Sequence, residues 1–189
     1  YNPQLPGLVE ELQGKGIAEV SEGAMVVRFP GDKQLADKPA IVRKRDGAAN
    51  YTTTDLATLR YRMETWLPTD IVYVTDGRQQ LHFQQLFNIF GRWQESASAK
   101  MEHVWFGSIL GPDGKPFKTR SGETVRLADL LDEAEERALA VVSEKNPDLP
   151  DAERREIARV VGLGALKYAD LSNNRLSDYI FDWDKMLAL

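Results

Sequence analysis

Three cations fall within six positions of the stretch GPDGKPFKTRSGETV, at Lys115, Lys118 and Arg120, among three glycines and between two apolar runs. A loop of this kind suits a polyphosphate, on which charge accumulates during phosphoryl or nucleotidyl transfer. Pro-Asp-Gly is also a strong turn signal. A hairpin connection with solvated charges accounts for the spacing slightly better when the stretch is taken alone.

Other polar groups follow the ends of apolar runs. Tyr51 and Asp55 are four apart at the start of a helical pattern, so both can face one side. The carboxylate could pair with a cationic ligand group, and the tyrosine offers an aromatic face and a hydroxyl. In isolation such a pair is better explained as an aspartate favoured by the helix dipole beside a surface tyrosine. Gln79 opens the next helical pattern and could bond an amide or a guanidinium. By itself it reads as a solvated glutamine. The two histidines, His82 and His103, are too few for a three-histidine metal site, and no carboxylates stand at ligand spacing around them. His82 lies one turn into an apolar helix face, where a hydrogen-bonded core histidine and a functional one fit equally well. His103 opens the run HVWFG, whose closing glycine would let backbone approach a flat base. Neither a Gly-x-Gly-x-x-Gly nor a Walker A sequence is present, and no nucleophile-elbow sequence appears.

The elements that must position these groups can be read from periodicity. LPGLVEELQGKGI predicts a helix and GAMVVRFPG a short strand. KPAIVRKRDG predicts a second strand closed by an Asp-Gly turn. TTTDLATLRYRMETWL predicts a helix capped by one of Thr52 to Thr54, with Asp55 in its first turn and Leu56, Leu59, Tyr61 or Met63, and Trp66 inward. The continuous run Ile71–Val74 predicts a strand covered on both faces. RQQLHFQQLFNIFGRW predicts a helix with Leu81, Phe83, Leu86, Phe87 and Phe90 inward. EHVWFGSIL is a further strand. A long amphipathic helix follows, with Leu127, Leu130, Leu131, Ala134, Ala138 and Val141 on its apolar stripe. A second helix over DAERREIARVVGLGALKYADL and a third short one over LSDYIFDWDKMLAL complete the chain. Alternating strand and helix over residues 36–122 implies an open, mostly parallel α/β sheet with flanking helices, and the remainder an α-helical segment. Ligands of such sheets bind beyond the carboxyl ends of the strands. The stretches after AIVRK, IVYVT and HVWFG are therefore expected to bring their polar groups to one rim.

Composition sets outer limits. The 189 residues are 42% hydrophobic and 28% charged, enough to fold around a core. A net charge of −5 argues against a generally basic nucleic-acid-coating protein, though not against a local basic patch. The absence of cysteine excludes disulfides, thiolate metal sites and a cysteine nucleophile. No apolar run approaches the roughly 18 residues that span a bilayer, and no charged-then-apolar leader opens the chain. The expectation is a soluble, cytoplasmic, monomeric protein without membrane partners.

In combination these segments resemble the arginyl-tRNA synthetases, a family of class I aminoacyl-tRNA synthetases. DGAANYTTTDLA looks like the family's Asp-Gly-x-x-x-Tyr-x-x-x-Asp-Leu-Ala signature, and VYVTDGRQQLHFQQLF resembles its strand followed by Asp-x-x-Gln-x-x-His-Phe. HVWFG precedes GKPFKTRSGETVRLADLLDEA, which is similar to the family's form of the Lys-Met-Ser-Lys-Ser loop. VGLGALKYADLSNNRLSDYIFDWDKML resembles the entry to its helical tRNA-binding region. The matches run in family order over nearly the whole chain.

The resemblance implies the second half of a class I Rossmann-like nucleotide-binding fold over residues 36–122. It makes residues 1–35 the end of an upstream insertion or connective region. Residues 123–189 become a helical stem-contact region leading to an anticodon-binding bundle. It implies an arginine–tRNA ligase fragment, whose parent activates arginine with ATP to arginyl-adenylate and pyrophosphate and passes arginine to tRNA(Arg). Tyr51, Asp55 and Gln79 would bind arginine, with Asp55 pairing its guanidinium. His103, Phe106 and Gly107 would lie against adenine, and Lys115 and Lys118 would bind ATP. Lys118, Thr119 and Arg120 would carry the catalytic role of the signature loop. Mg2+ would arrive with ATP, without a protein metal site. Pro116 and Phe117 replace the loop's central Met-Ser, Arg45 stands where a serine is common, and no His-x-Gly-His sequence is present. The chain alone is accordingly expected to be inactive. The alternative from another class is a non-catalytic synthetase-like module that binds a nucleotide, an amino acid or a protein. A generic nucleotidyltransferase would not call for Tyr51, Asp55 and Gln79 together.

Overall fold

The computed structural model describes residues 2–95, 99–111, 113–115 and 126–182. The chain divides into two units, Tyr1–Trp105 and Phe106–Leu189.

The first unit begins with α1, Leu5–Gly14, which has Pro6 in its opening turn and buries Leu5, Leu8, Val9 and Leu12 along one stripe. β1, Ala18–Ser21, and β2, Ala24–Val27, form an antiparallel hairpin. Its two-residue turn places Glu22 at φ 49° and Gly23 at φ 81°, the left-handed backbone that tight hairpins require. β3, Ala40–Arg43, pairs antiparallel with β2, giving the sheet order β1-β2-β3. AIVR, which the pattern assigns to a parallel sheet, thus joins an antiparallel one. The four-residue segment AEVS, which the longer apolar runs overshadow, supplies the hairpin partner of β2.

α2 spans Tyr51–Trp66. Its cap is Asn50, not one of the threonines: Oδ1 accepts the Tyr51 N–H at 2.8 Å, and Nδ2 donates to the Ile41 carbonyl at 3.0 Å. One side chain therefore starts the helix and ties it to β3. Thr52 and Thr53 are buried within the helix, and the Thr53 hydroxyl donates to the Val42 carbonyl. Asp55 lies past the first turn. Leu56, Ala57 and Leu59 face the core, whereas Trp66 is 65% exposed at the helix end.

β4, Asp70–Asp76, and β5, Lys100–Phe106, share a two-stranded sheet, with α3, Gln80–Trp93, between them in sequence. The Lys100 N–H donates to the Thr69 carbonyl at 2.8 Å, which sets the two strands start against start. Asp76 accepts the Arg78 N–H at 2.7 Å and opens a 3-10 turn, Gly77–Gln79, that runs into α3. Phe83, Leu86, Ile89, Phe90 and Trp93 are buried, and Leu81, expected inward, is exposed. Ile71 is buried and Tyr73 packs on the core, but Val72 and Val74 are exposed. β4 is thus backed on one face rather than two, because α2 and α3 both pack on the Ile71 side.

The second unit contains β6, Ile109–Leu110, and β7, Tyr179–Ile180, which pair in parallel. β7 lies within the first part of the expected third helix, whose residues 183–189 fall outside the described residues. The run Asn173–Ser177 is held off helical geometry by side-chain turns such as Asn174 Oδ1 accepting the Leu176 N–H at 3.0 Å. α4, Leu127–Lys145, and α5, Asp151–Ser172, form a helical hairpin. Their seam is made of small residues: Ala134, Ala138, Ala158 and Gly162 are buried. Leu127 and Val141, expected on the apolar stripe, are exposed, and Val142 is buried in place of Val141. No helix among the described residues is long and apolar enough to cross a membrane.

Candidate functional site

The stretches after β3 and after β4 meet within the first unit. Asn50 delivers Tyr51 at the first position of α2, and one helical turn on stands Asp55. Asp76 opens the turn that carries Gln79 into α3, and His82 lies three positions beyond it. His82 Nε2 is 2.7 Å from Asp55 Oδ2. The Tyr51 ring meets the imidazole edge-on, with centroids 4.8 Å apart and planes at 72°. The His82 side chain is only 9% exposed, whereas that of Asp55 is 40% exposed. A buried ring thus supports a carboxylate that still faces solvent. Tyr51 is exposed beside it, and Gln79 is exposed at the mouth of α3.

Behind this pair lies an aromatic wall. Phe83 stacks obliquely on His103 at 4.4 Å, on Tyr73 at 4.7 Å and on His82 at 5.1 Å. His103 Nε2 is 2.8 Å from the Thr75 hydroxyl, between neighbouring strands. Burial, with a smaller contribution from nearby His82, lowers the His103 pKa below the usual histidine value. Arg62 donates to the Tyr73 hydroxyl at 3.0 Å and lies 5.4 Å over its ring. Burial raises the Tyr73 pKa, Asp55 adds to the rise, and Arg62 opposes it.

The remaining positions singled out from sequence belong to the second unit. Phe106 is 42% exposed. Gly107 donates its N–H to the Arg175 carbonyl at 2.9 Å, and a Cβ at Gly107 would stand 2.4 Å from the Ser177 carbonyl oxygen. The close approach that this glycine permits is made by the chain's own backbone. Lys115 is exposed and ends a tight turn. The Gly111 N–H donates to its carbonyl at 2.7 Å, Gly114 adopts φ 70°, and the Lys115 N–H donates to Asp113 Oδ1 at 3.1 Å. Lys118, Thr119 and Arg120 lie outside the described residues.

The structure therefore joins Tyr51 and Asp55 through a residue that periodicity left between two readings, His82. The signal lay in spacing: Gln79 and His82 are one turn apart at a helix start that follows an apolar strand. A cavity of about 560 Å³ opens elsewhere, lined by Val9, Arg43, Lys44 and Arg45. Arg45 is already paired with Glu22 at 2.6 Å, and the cavity contains none of the residues above.

Comparison with known proteins identifies the family of the chain. The family described as tRNA synthetases class I (R), catalytic domain, matches residues 1–183. The arginine–tRNA ligase of Chromobacterium violaceum is 55% identical over 191 aligned residues, covering 100% of this chain and 33% of that protein. The arginine–tRNA ligase of Escherichia coli is 52% identical with the same coverage. The chain thus spans about a third of the length of these relatives. Among solved structures, the arginyl-tRNA synthetase of Plasmodium falciparum superposes with a TM-score of 0.79 at 27% identity, over 99% of this chain and 31% of that one. The Thermus thermophilus arginyl-tRNA synthetase shares the fold, with a TM-score of 0.78 at 23% identity, over 98% of this chain and 36% of that one.

Proposed function

The chain belongs to the class I tRNA synthetase (R) catalytic-domain family, and from that premise we propose that the longer protein carrying it is an arginine–tRNA ligase. An arginine carboxylate oxygen attacks the α-phosphorus of ATP, the bond to pyrophosphate breaks, and arginyl-adenylate forms. A hydroxyl of the terminal ribose of tRNA(Arg) then attacks the arginyl carbonyl, and AMP leaves. Within this reading the present segment supplies the arginine pocket and one side of the nucleotide site.

The observation that carries the proposal is the partly exposed carboxylate of Asp55, tied through one oxygen to His82, whose ring the Tyr51 ring meets edge-on. A planar guanidinium is recognised by a fixed carboxylate through parallel N–H···O bonds, and an adjoining aromatic face favours the same cation. Gln79, exposed at the mouth of α3, is assigned a further amide contact to arginine. His103 and Phe106, on one strand, with Gly107 just after it, are assigned to the adenine side.

Lys115, Lys118, Thr119 and Arg120 are assigned to the pyrophosphate. Negative charge grows on it as it departs, so cations there stabilise the transition state more than the ground state. Mg2+ is assigned to the nucleotide's phosphates. Among the described residues no group of three or more metal-binding side chains stands together, and no step is routed through a protein-held metal.

The test is arginine-dependent ATP–pyrophosphate exchange by the full-length protein. Asp55→Ala is expected to raise the arginine KM at least about a hundredfold, the order expected for losing a charge-assisted pair, while the ATP KM stays within about twofold. An unchanged arginine KM in that variant would overturn the assignment of the pocket.

A further inference from the structure

We infer that His82 is a positioning residue for arginine recognition: its ring carries the proton on Nε2, donates it to Asp55 Oδ2, and leaves Oδ1 free for the ligand. The inference rests on the arginine pocket proposed above and adds to it the group that sets the carboxylate's orientation.

The tautomer follows from the two ends of the ring. Asp55, 40% exposed, is a carboxylate and can only accept at Oδ2, so the hydrogen across the 2.7 Å contact sits on the histidine nitrogen. At the other end, Nδ1 is buried with no hydrogen-bond partner among the described residues. Leaving an acceptor lone pair without a partner there is far less costly than burying an N–H donor without one. Both ends therefore select the Nε2–H form.

The ring is also held in place. Tyr51 closes on it edge-on at 4.8 Å and Phe83 lies 5.1 Å away. Phe83 is itself 4% exposed and backed by Tyr73, Phe87 and His103. A carboxylate on a helix surface ordinarily samples several rotamers. Here one oxygen is fixed by a donor that cannot swing away, so the second oxygen points in one direction before any ligand arrives. Such preorganisation raises affinity by removing an ordering cost. Tyr51 serves twice, as a proposed ligand contact and as a wall for the imidazole.

Two measurements on the full-length protein decide the matter. In pyrophosphate exchange, His82→Leu is expected to raise the arginine KM about tenfold, as for a lost hydrogen bond to a charged group, with the ATP KM unchanged within about twofold. His82→Gln, whose amide nitrogen reaches the position of Nε2, is expected to recover most of that loss. If His82→Leu leaves the arginine KM at the parent value while Asp55→Ala raises it, the positioning role is overturned and the pocket assignment stands. If Asp55→Ala also leaves it unchanged, the pocket assignment itself falls. The second measurement needs no variant to fold as the parent does. In protein carrying 15N-labelled histidine, with the His82 signal assigned by its loss in His82→Gln or by its position next to Tyr51 and Phe83, the proton is expected on Nε2. A proton on Nδ1 alone overturns the inference.

Discussion

The Thr75 hydroxyl and His103 Nε2 lie 2.8 Å apart across the pair β4 and β5, with the Phe83 ring on the imidazole face. Burial there disfavours the charged ring, with His82 as a second, smaller cause. The NMR titration midpoint of His103 is therefore expected below the ordinary 6.5. Since the folded state binds its proton less readily than the unfolded chain, this site's contribution to stability is complete above pH 6.5 and is lost as pH falls through the lowered midpoint. A midpoint at or above 6.5 would contradict the placement.

Asn50→Ala removes both the helix cap and the tie to Ile41. A loss of about 1–2 kcal/mol in urea unfolding is expected from the cap alone. Thr54→Ala serves as the control. The Thr54 hydroxyl bonds only the Tyr51 carbonyl within the helix, so it is expected to cost much less.

Two glycines of α5 separate propensity from packing. A Cβ on Gly162 would stand 2.5 Å from the Ala134 carbonyl oxygen, whereas a Cβ on Gly164 meets nothing within 4 Å. Gly164→Ala is expected to stabilise the chain by about 0.5–1 kcal/mol, the ordinary helix preference for alanine. The same substitution at Gly162 must push two helix backbones apart. Overpacking costs of about 1–3 kcal/mol outweigh that preference and reverse the sign. Matched denaturation curves of the two variants provide the check.

Tyr179, in β7, donates its hydroxyl to Asp170 at 3.2 Å. Burial first, then the Asp170 charge, pushes its pKa up to about 12. In a spectrophotometric titration Asp170→Asn is expected to lower the Tyr179 midpoint part of the way toward 10.0, with burial holding the remainder. No movement on that substitution would show that the pair does not form.

What the sequence revealed follows the range over which each signal acts. Strong local periodicity placed α1, α2, α3, α4 and α5, because each helix writes its buried stripe into positions three and four apart. The cap of α2 was missed by two residues or more, since Asn, Ser and Thr are all competent and only the tie to Ile41 selects Asn50. The pairing of β3 escapes the pattern because AEVS alternates over only four residues, so its role as a hairpin strand depends on the turn at Glu22 and Gly23. The run at Ile71–Val74 is apolar on both faces, and composition does not say which face is backed. Exposed Val72 and Val74 answer that only in three dimensions. Tyr51 and Asp55 were legible from spacing on one helix. Their third member, His82, sits on a different helix 27 residues from Asp55, and no single-helix pattern can join them.

The parallel pair β6 and β7 has a consequence in time. Asp178 Oδ1 accepts the Ser108 N–H across 70 positions of chain, next to the Ile109–Tyr179 register. The α4–α5 hairpin needs only near neighbours along the chain and can assemble early. The two-residue pairing at its base must first gather distant ends, and a pair so short repays little of that closure entropy by itself. It therefore closes last and opens first. Amide exchange at Tyr179 and Phe181, whose N–H groups donate to Ser108 and Leu110, would report the first opening of this unit, well before the helices themselves give way.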